Sequence, residues 1–173
     1  MNLKSPDLLV LEYTKLMTFF MNFNNEFRNI SIIGAGGGSV VKFIKSSLPQ
    51  CHIKLIEIDK RVINIAHNYF FLPLPDHNLE IIIESGEEWI KSGINKFDAF
   101  MIDVFDDKGP IDYFNSEMFY NLVFKRLQTN GLVVVNMWSN HKKIKDFILS
   151  FHKNFYNFII LSGTKTKNIV LLG

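Results

Sequence analysis

With 173 residues, 47% of them apolar and 21% charged, the chain has the balance of an ordinary globular protein and is long enough for one sizeable core. Its net charge of +2, with no long lysine or arginine run, argues against nucleic-acid binding as the main activity. One cysteine, Cys51, excludes a disulfide framework and leaves too few thiols for a zinc site, while charges interrupt every apolar run before the roughly 18 residues of a membrane span. Asp7 and Glu12 break any signal-peptide layout, so a cytoplasmic protein without membrane partners is expected.

In chain order, the stretch at about 7–23 places Leu8, Leu9, Leu16, Phe19, Phe20 and Phe23 mostly on one side of a helix, within an N-terminal helical segment over 1–28. "NISIIGA" (29–35) reads as a buried strand, followed by a glycine loop and the helical "SVVKFIKSSL" (39–48). "HIKLIEID" (52–59) is the second strand and "KRVINIAHNYF" (60–70) has apolar residues at helical spacing. "LEIIIES" (79–85), "FDAFMID" (97–103) and "GLVVVNMW" (131–138) are three more strands, with short helices at "GEEWIKS" (86–92) and "SEMFYNLVFKRL" (116–127). Thr129, Asn130 and Gly131 supply the stop and turn after the latter helix. A helix at roughly 141–152 precedes "YNFIILSG" (156–163) and "NIVLLG" (168–173). The short link between those last runs allows only an antiparallel hairpin, because a parallel crossover needs a dozen or more residues.

Continuous apolar strands alternating with helices indicate a parallel sheet covered on both faces. The expected architecture is α/β: one Rossmann-like domain over 1–173, of the class I S-adenosylmethionine-dependent transferase type, with a mostly parallel seven-stranded sheet that ends in an antiparallel hairpin.

"IGAGGGSV" (33–40) joins the first strand to a helix, and glycines there let the backbone turn sharply and approach a ligand. Glu57 ends the second strand, where an acidic side chain accepts hydrogen bonds from ribose hydroxyls. Asp59 opens the next helix and reads as its cap. NAD and adenosyl cofactors share this geometry; Ser39 at the third fingerprint position and the terminal hairpin both disfavour NAD. "MIDVFDDKGP" (101–110) then sets Asp103, Asp106 and Asp107 where the fourth strand surfaces. An alkyl ammonium, with lysine's pKa of ~10.4 as its model, costs roughly 4–5 kcal/mol to deprotonate at pH 7. One carboxylate can take part in that deprotonation while a second anchors the cation. The turn reading of Asp106, Asp107 and Gly109-Pro110 stands beside this one. Asn136 and Trp138 lie on the same sheet edge, with Trp138 read as core or rim packing. His52, His67, His141 and His152 lack ligand-like spacing with carboxylates, so no metal is expected, and His77, in the loop after "LPLPD", reads as a loop histidine with an acid–base role as the lesser alternative.

The ordered set "LEYTKLM", "IGAGGGSVVKFI", "IKLIEID", "FFLPLPDHNLEIIIESGEEWI", "FDAFMIDVFDDKGP" and "FNSEMFYNLVFKRLQTNGLVVVNMW" resembles the spermidine synthase (polyamine aminopropyltransferase) family over about residues 11–138. The resemblance implies a cofactor containing 5′-thioadenosine, S-adenosylmethionine or decarboxylated S-adenosylmethionine, with a small amine as substrate; it also allows a homodimer. It assigns Gly34, Gly36, Gly37 and Gly38 to the cofactor loop, Glu57 to the ribose, Ser85 to the adenine side, Asp103 to catalysis, and Asp106 and Tyr13 to the amine substrate. Gly37 stands where the family carries an aspartate for the aminopropyl nitrogen, and Ser85 stands for the aspartate of a "GDG"-type motif. "YTK" (13–15) keeps only the tyrosine of the family's upstream triplet, and the sequence reads as a branch lacking the N-terminal β-domain. Aminopropyl transfer is the leading expectation. A small-molecule methyltransferase is the second, since Gly37 removes a charge that would repel the carboxylate of intact S-adenosylmethionine. A non-catalytic binding module and a nicotinamide oxidoreductase follow.

Overall fold

The computed structural model describes residues 2–23 and 26–173. Its first strands are β1 (Asn29–Ile33), β2 (His52–Glu57), β3 (Leu79–Ile83) and β4 (Phe97–Ile102). A small antiparallel ribbon of β5 (Phe105–Asp106) and β6 (Gly109–Pro110) follows, then β7 (Leu127–Trp138), β8 (Ile159–Ser162) and β9 (Asn168–Leu172). Seven of these strands form one sheet in the order β3-β2-β1-β4-β7-β9-β8. Pairing is parallel from β3 to β7 and antiparallel for β7–β9 and β9–β8, as the sequence pattern requires.

Both faces of the sheet are covered, which explains why the central strands carry consecutive apolar residues, such as Leu55-Ile56 and Ala99–Ile102, and not a strict alternation. Helices α1 (Glu12–Met17), α2 (Ser39–Ser47) and α3 (Lys60–Phe70) contribute Met17, Val41, Ile44 and Ala66 to a core with Ile32, Leu55, Met101, Val134 and Val170. On the other face, α4 (Gly86–Ser92), α5 (Glu117–Lys125) and α6 (Ile144–His152) bring Trp89, Phe119, Tyr120 and Phe151 against Ile33, Ile102, Val135 and Leu171. Each fully buried aliphatic or aromatic side chain stabilises the fold by about 1.5–3 kcal/mol relative to exposure.

This second core surrounds a charge. Arg126 is buried, its guanidinium 4.1 Å from the ring centre of Trp89, and it donates to the carbonyls of Trp89, Ile90 and Asn95. A cation thus donates to carbonyls in the last turn of α4, which lack the full set of intrahelical N–H partners.

Three elements depart from the sequence-based expectation. The helix expected at 7–23 is confined to α1, followed by a 3₁₀ turn at Phe19–Asn22. The Thr18 hydroxyl donates back to the carbonyls of Thr14 and Lys15, and Thr18 leaves α geometry (φ −96°, ψ 3°); this bend buries Met17 and Phe20 but leaves Leu8 and Phe23 exposed. Asn24 and Asn25, within the expected 1–28 segment, lie outside the described residues. The fifth expected strand begins four residues early, at Leu127. The turn at 129–131 is present, but as a bulge inside β7: Phe97 pairs Leu127, Ala99 pairs Leu132, and Asn130 takes φ 63°.

Candidate active site

Strand order reverses between β1 and β4, and α/β sheets hold ligands outside the carboxyl ends of their strands at such a reversal. Two cavities of about 410 and 170 Å³ lie there. Tyr13, Gly34, Gly36 and Asp103 belong to the walls of both, so they form one cleft.

The glycine loop forms the floor. Gly34 (φ 96°) turns where a β-carbon would stand 2.2 Å from the carbonyl oxygen of Asp103. At Gly38 (φ 69°), the N-cap of α2, a β-carbon would meet Leu72 at 2.6 Å. Gly36 (φ 47°) is different: a β-carbon there would meet nothing within 4 Å, because that position faces open cleft. Gly34, Gly36 and Gly37 line the cleft, whereas Gly38 is among the wall residues of neither cavity.

Glu57, at the end of β2, is half-buried in the wall of the larger cavity. Its two oxygens accept from the N–H groups of Ala35 (3.0 Å) and Asp59 (3.1 Å), which fixes the carboxylate against the glycine loop and leaves acceptor capacity for a ligand. Asp59 itself caps α3 through Arg61 N–H (2.8 Å) and ion-pairs with Arg61. Ser85 caps α4 by accepting from Glu87 N–H (3.3 Å) and lines the larger cavity beside Gly86. Ile58, Val62, Val104, Phe105, Ile111 and Phe114 complete an apolar wall.

Asp103 follows β4 directly and is half-buried. Burial pushes its carboxyl up to about 6, with an opposing pull from Asn136, whose Nδ2 donates to Oδ1 at 2.7 Å. It is therefore roughly ten to one ionised at pH 7. Tyr13, on α1, faces the same space. Burial, and then the negative charge of Asp103, raise its phenol to about 12, so it stays a proton donor at neutral pH.

Asp106 is not brought into the cleft wall. It is exposed, and its Oδ1 accepts from the N–H groups of Lys108 (2.7 Å) and Gly109 (3.0 Å), closing the turn of the β5–β6 ribbon. That turn seats Phe105 against Trp138, with ring centres 5.4 Å apart and planes at 24°. Asp107 is exposed beside it.

Sequence reasoning passed over Glu12. Its carboxylate accepts from the N–H groups of Thr164 (3.1 Å) and Lys165 (2.7 Å), which lowers its pKa and ties α1, with Tyr13, to the β8–β9 turn. The only sequence signal was its place next to Tyr13. Among the described residues no group of three or more His, Cys, Asp or Glu is placed to hold a metal ion, and no helix is long and apolar enough to cross a membrane.

Comparison with known proteins agrees with this geometry. The family model of the spermine/spermidine synthase domain matches residues 11–164. A polyamine aminopropyltransferase of Neisseria meningitidis is 36% identical over 149 residues, covering 86% of this chain and 57% of the relative. The chain thus spans little more than half the length of that curated relative. Among solved structures, human methyltransferase-like protein 13 in complex with SAH superposes with a TM-score of 0.85 at 21% identity, covering 94% of this chain and 81% of that one. A spermidine synthase in complex with the transition-state analogue AdoDATO gives 0.78 at 22% identity, covering 93% of this chain and 59% of that one. These likenesses establish a Rossmann-like transferase fold, and with the family match over nearly the whole chain they make this protein a member of the spermine/spermidine synthase family.

Proposed function

We propose that the chain transfers an aminopropyl group to a small amine, binding an adenosyl sulfonium cofactor in the cleft beside Asp103. The observation that carries this reading is the half-buried carboxylate of Asp103 in the walls of both cavities, between the glycine loop and Tyr13. The aminopropyltransferase name of the Neisseria relative and the SAH and AdoDATO bound to the two structural neighbours support it.

The residues present fit an adenosyl group. Glu57 has acceptor capacity for a ribose diol, Gly36 leaves its flank of the cleft open, and the apolar wall from Ile58 to Phe114 suits a purine, with Ser85 as a hydroxyl at its rim. The larger cavity, about 410 Å³, is within the roughly 300–1,000 Å³ of small-molecule sites. When bound, the sulfonium supplies an electrophilic carbon. Asp103 orients the amine and takes its proton; a carboxylate raised to about 6 stands closer to an amine in proton affinity than an ordinary one. Tyr13, which lines the same cleft and stays protonated, offers its phenol oxygen as an acceptor to a second N–H of the ammonium. Asp106, exposed and engaged in its own turn, is assigned to shaping the Phe105 wall, with its free oxygen available to the distal end of a diamine.

A second reading, methyl transfer from intact S-adenosylmethionine, draws on the smaller cavity. Asp103 is the one acidic residue among its lining residues, and at Gly37 the ring of Phe70 lies 3.3 Å from where a β-carbon would stand.

A thermal-shift panel with S-adenosylmethionine, its decarboxylated form, methylthioadenosine and NAD tests the cofactor. Ligand at about 100 times its Kd adds ~2.7 kcal/mol, a rise of roughly 5–10 °C for a domain of this size. No response to any adenosyl compound would overturn both readings. With the decarboxylated form and putrescine, mass spectrometry should detect spermidine. Methylated product from intact S-adenosylmethionine, without spermidine, would favour the second reading.

A further inference from the structure

Asp103 begins a row of hydrogen bonds that crosses three strands. Asn136 of β7 donates from Nδ2 to Asp103 Oδ1 at 2.7 Å, and Asn168 of β9 donates from Nδ2 to Asn136 Oδ1 at 2.9 Å. The Thr166 hydroxyl donates to Asn168 Oδ1 at 2.6 Å and accepts from Asn168 N–H at 3.1 Å. Sheet register builds this row. Ile102 pairs Val135, which sets Asp103 beside Asn136; Asn136 pairs Val170 and Trp138 pairs Asn168, so Asn168 is the diagonal neighbour of Asn136. The row lies just past the apolar positions Met101, Val134 and Val170, at the edge where the sheet opens on the cleft.

The chemistry gives the row a direction. An ionised carboxylate only accepts, so Asn136 must present its NH₂ to Asp103 and its oxygen to Asn168. Asn168 must then present its own NH₂ to Asn136, which leaves its oxygen to be satisfied by a hydroxyl, and Thr166 supplies one. Asn136 is 4% exposed, so a wrongly turned amide there would strand a buried donor. No group in the row beyond Asp103 can take up a proton, and neither β7 nor β9 carries an acidic or basic residue. The titratable groups around the carboxylate are Tyr13 of α1 and, across the cleft, Glu57 of β2. Lys42 of α2 gives its ammonium to the carbonyls of Gly37 and Phe70, and Asp106 and Asp107 are exposed on the ribbon.

We propose that Asn136, Asn168 and Thr166 are positioning residues: together they hold one oxygen of Asp103 in its charged form and leave the other to the substrate, so the terminal hairpin lowers the proton affinity that burial gives the site. The proposal rests on the reading of Asp103 as the proton-handling group, but its central test does not. Aspartate ¹³C-carboxyl NMR on the ligand-free protein, with the Asp103 signal assigned by Asp103→Asn, follows the titration directly. Asn136→Leu should raise the midpoint by about one pH unit, the loss of one hydrogen bond to a charged group. Asn168→Leu, two strands from the carboxylate, should raise it by about half as much, and should add nothing in the Asn136→Leu background. Thr166→Val should move it in the same direction, and it keeps the test alive if Asn136→Leu does not fold.

Turnover supplies the second readout. A half-unit rise predicts about a twofold loss of kcat for Asn168→Leu at pH 6, closing by pH 8, where Asp103 is ionised in both proteins. A folded Asn168→Leu variant with an unmoved Asp103 midpoint would overturn the proposal, as would full additivity with Asn136→Leu. If the midpoint moves as expected while Asp103→Asn keeps full turnover, the hydrogen-bond row stands and the catalytic reading of Asp103 falls.

Discussion

Gly34 and the backbone of Asp103 touch: a β-carbon on Gly34 would lie 2.2 Å from the Asp103 carbonyl oxygen, closer than any real contact allows. The start of the glycine loop is thus built directly on the strand end that carries the Asp103 carboxylate. Gly34→Ala should cost about 2–4 kcal/mol, from steric displacement and a disfavoured φ of 96° together. Gly36→Ala should cost only about 1 kcal/mol, because its β-carbon meets open space. That β-carbon enters the cleft, however, and adenosyl affinity should fall at least about tenfold, a loss of ~1.4 kcal/mol. Denaturant unfolding and calorimetric titration separate the two variants; equal stability losses would contradict this account of the loop.

Asp103 should trade stability for activity. Its carboxyl stands at about 6 in the folded chain against an ordinary 3.8, so the fold binds that proton more tightly than the unfolded chain does. This contribution is present in full below about pH 4 and is lost as pH rises through 6. Asp103→Asn should therefore stabilise the protein at pH 7.5 by about 1–2 kcal/mol, allowing for the solvent-facing side of the carboxylate, or roughly 3–6 °C. The gain should vanish near pH 4. Turnover should drop by about 10²–10⁴. Melting temperatures at the two pH values, with kcat at the higher one, check both statements.

Glu12 fastens the β8–β9 turn to the helix that carries Tyr13. In Glu12→Gln the carboxylate that receives the Thr164 and Lys165 N–H groups is replaced by a weaker acceptor. Amide exchange at those two residues should accelerate, and KM for the amine should rise more than kcat falls. Because those bonds lower its pKa, the wild-type contribution is present above the ordinary 4.5 and disappears as pH falls through the depressed value. The protection of the two amides in wild type, measured relative to their intrinsic exchange rates, should accordingly fall on acidification through that range.

Arg126 tests a different part of the molecule. Arg126→Met keeps an apolar stem but removes the guanidinium's donors to the carbonyls of Trp89, Ile90 and Asn95 and the contact with the Trp89 ring. A loss of about 2–4 kcal/mol is expected, with adenosyl affinity unchanged because Arg126 is outside the cleft walls. Reduced affinity at full folding would show that α4 transmits to the site.

The mostly parallel sheet, its closing hairpin and the site edge were legible because burial on two faces leaves long apolar runs, and because Gly34 and Glu57 fall where a strand must end. The N-terminal helix was over-extended because Thr18 spends its hydroxyl on the preceding turn, which no apolar periodicity reveals. Asp106 read equally as a cation anchor and as part of a turn; its carboxylate closes the turn of the β5–β6 ribbon through backbone N–H groups, which spacing from Asp103 does not reveal. Asn136 and Asn168 are 32 residues apart and meet through antiparallel register, so their partnership has no local signature.

The terminal hairpin also gives the site a history within each molecule. As the chain leaves the ribosome, β1, β2 and β4 can pair around the glycine loop while the final strands are still unmade. Asn136 follows Asp103 by 33 residues, and the Glu12 contact to Lys165 spans 153. The glycine-loop floor is therefore an early structure, whereas the amides behind Asp103 and the tether of Tyr13 wait for strands made later. A nascent chain could shape the glycine-loop side of the cleft well before Asp103 and Tyr13 are held in place.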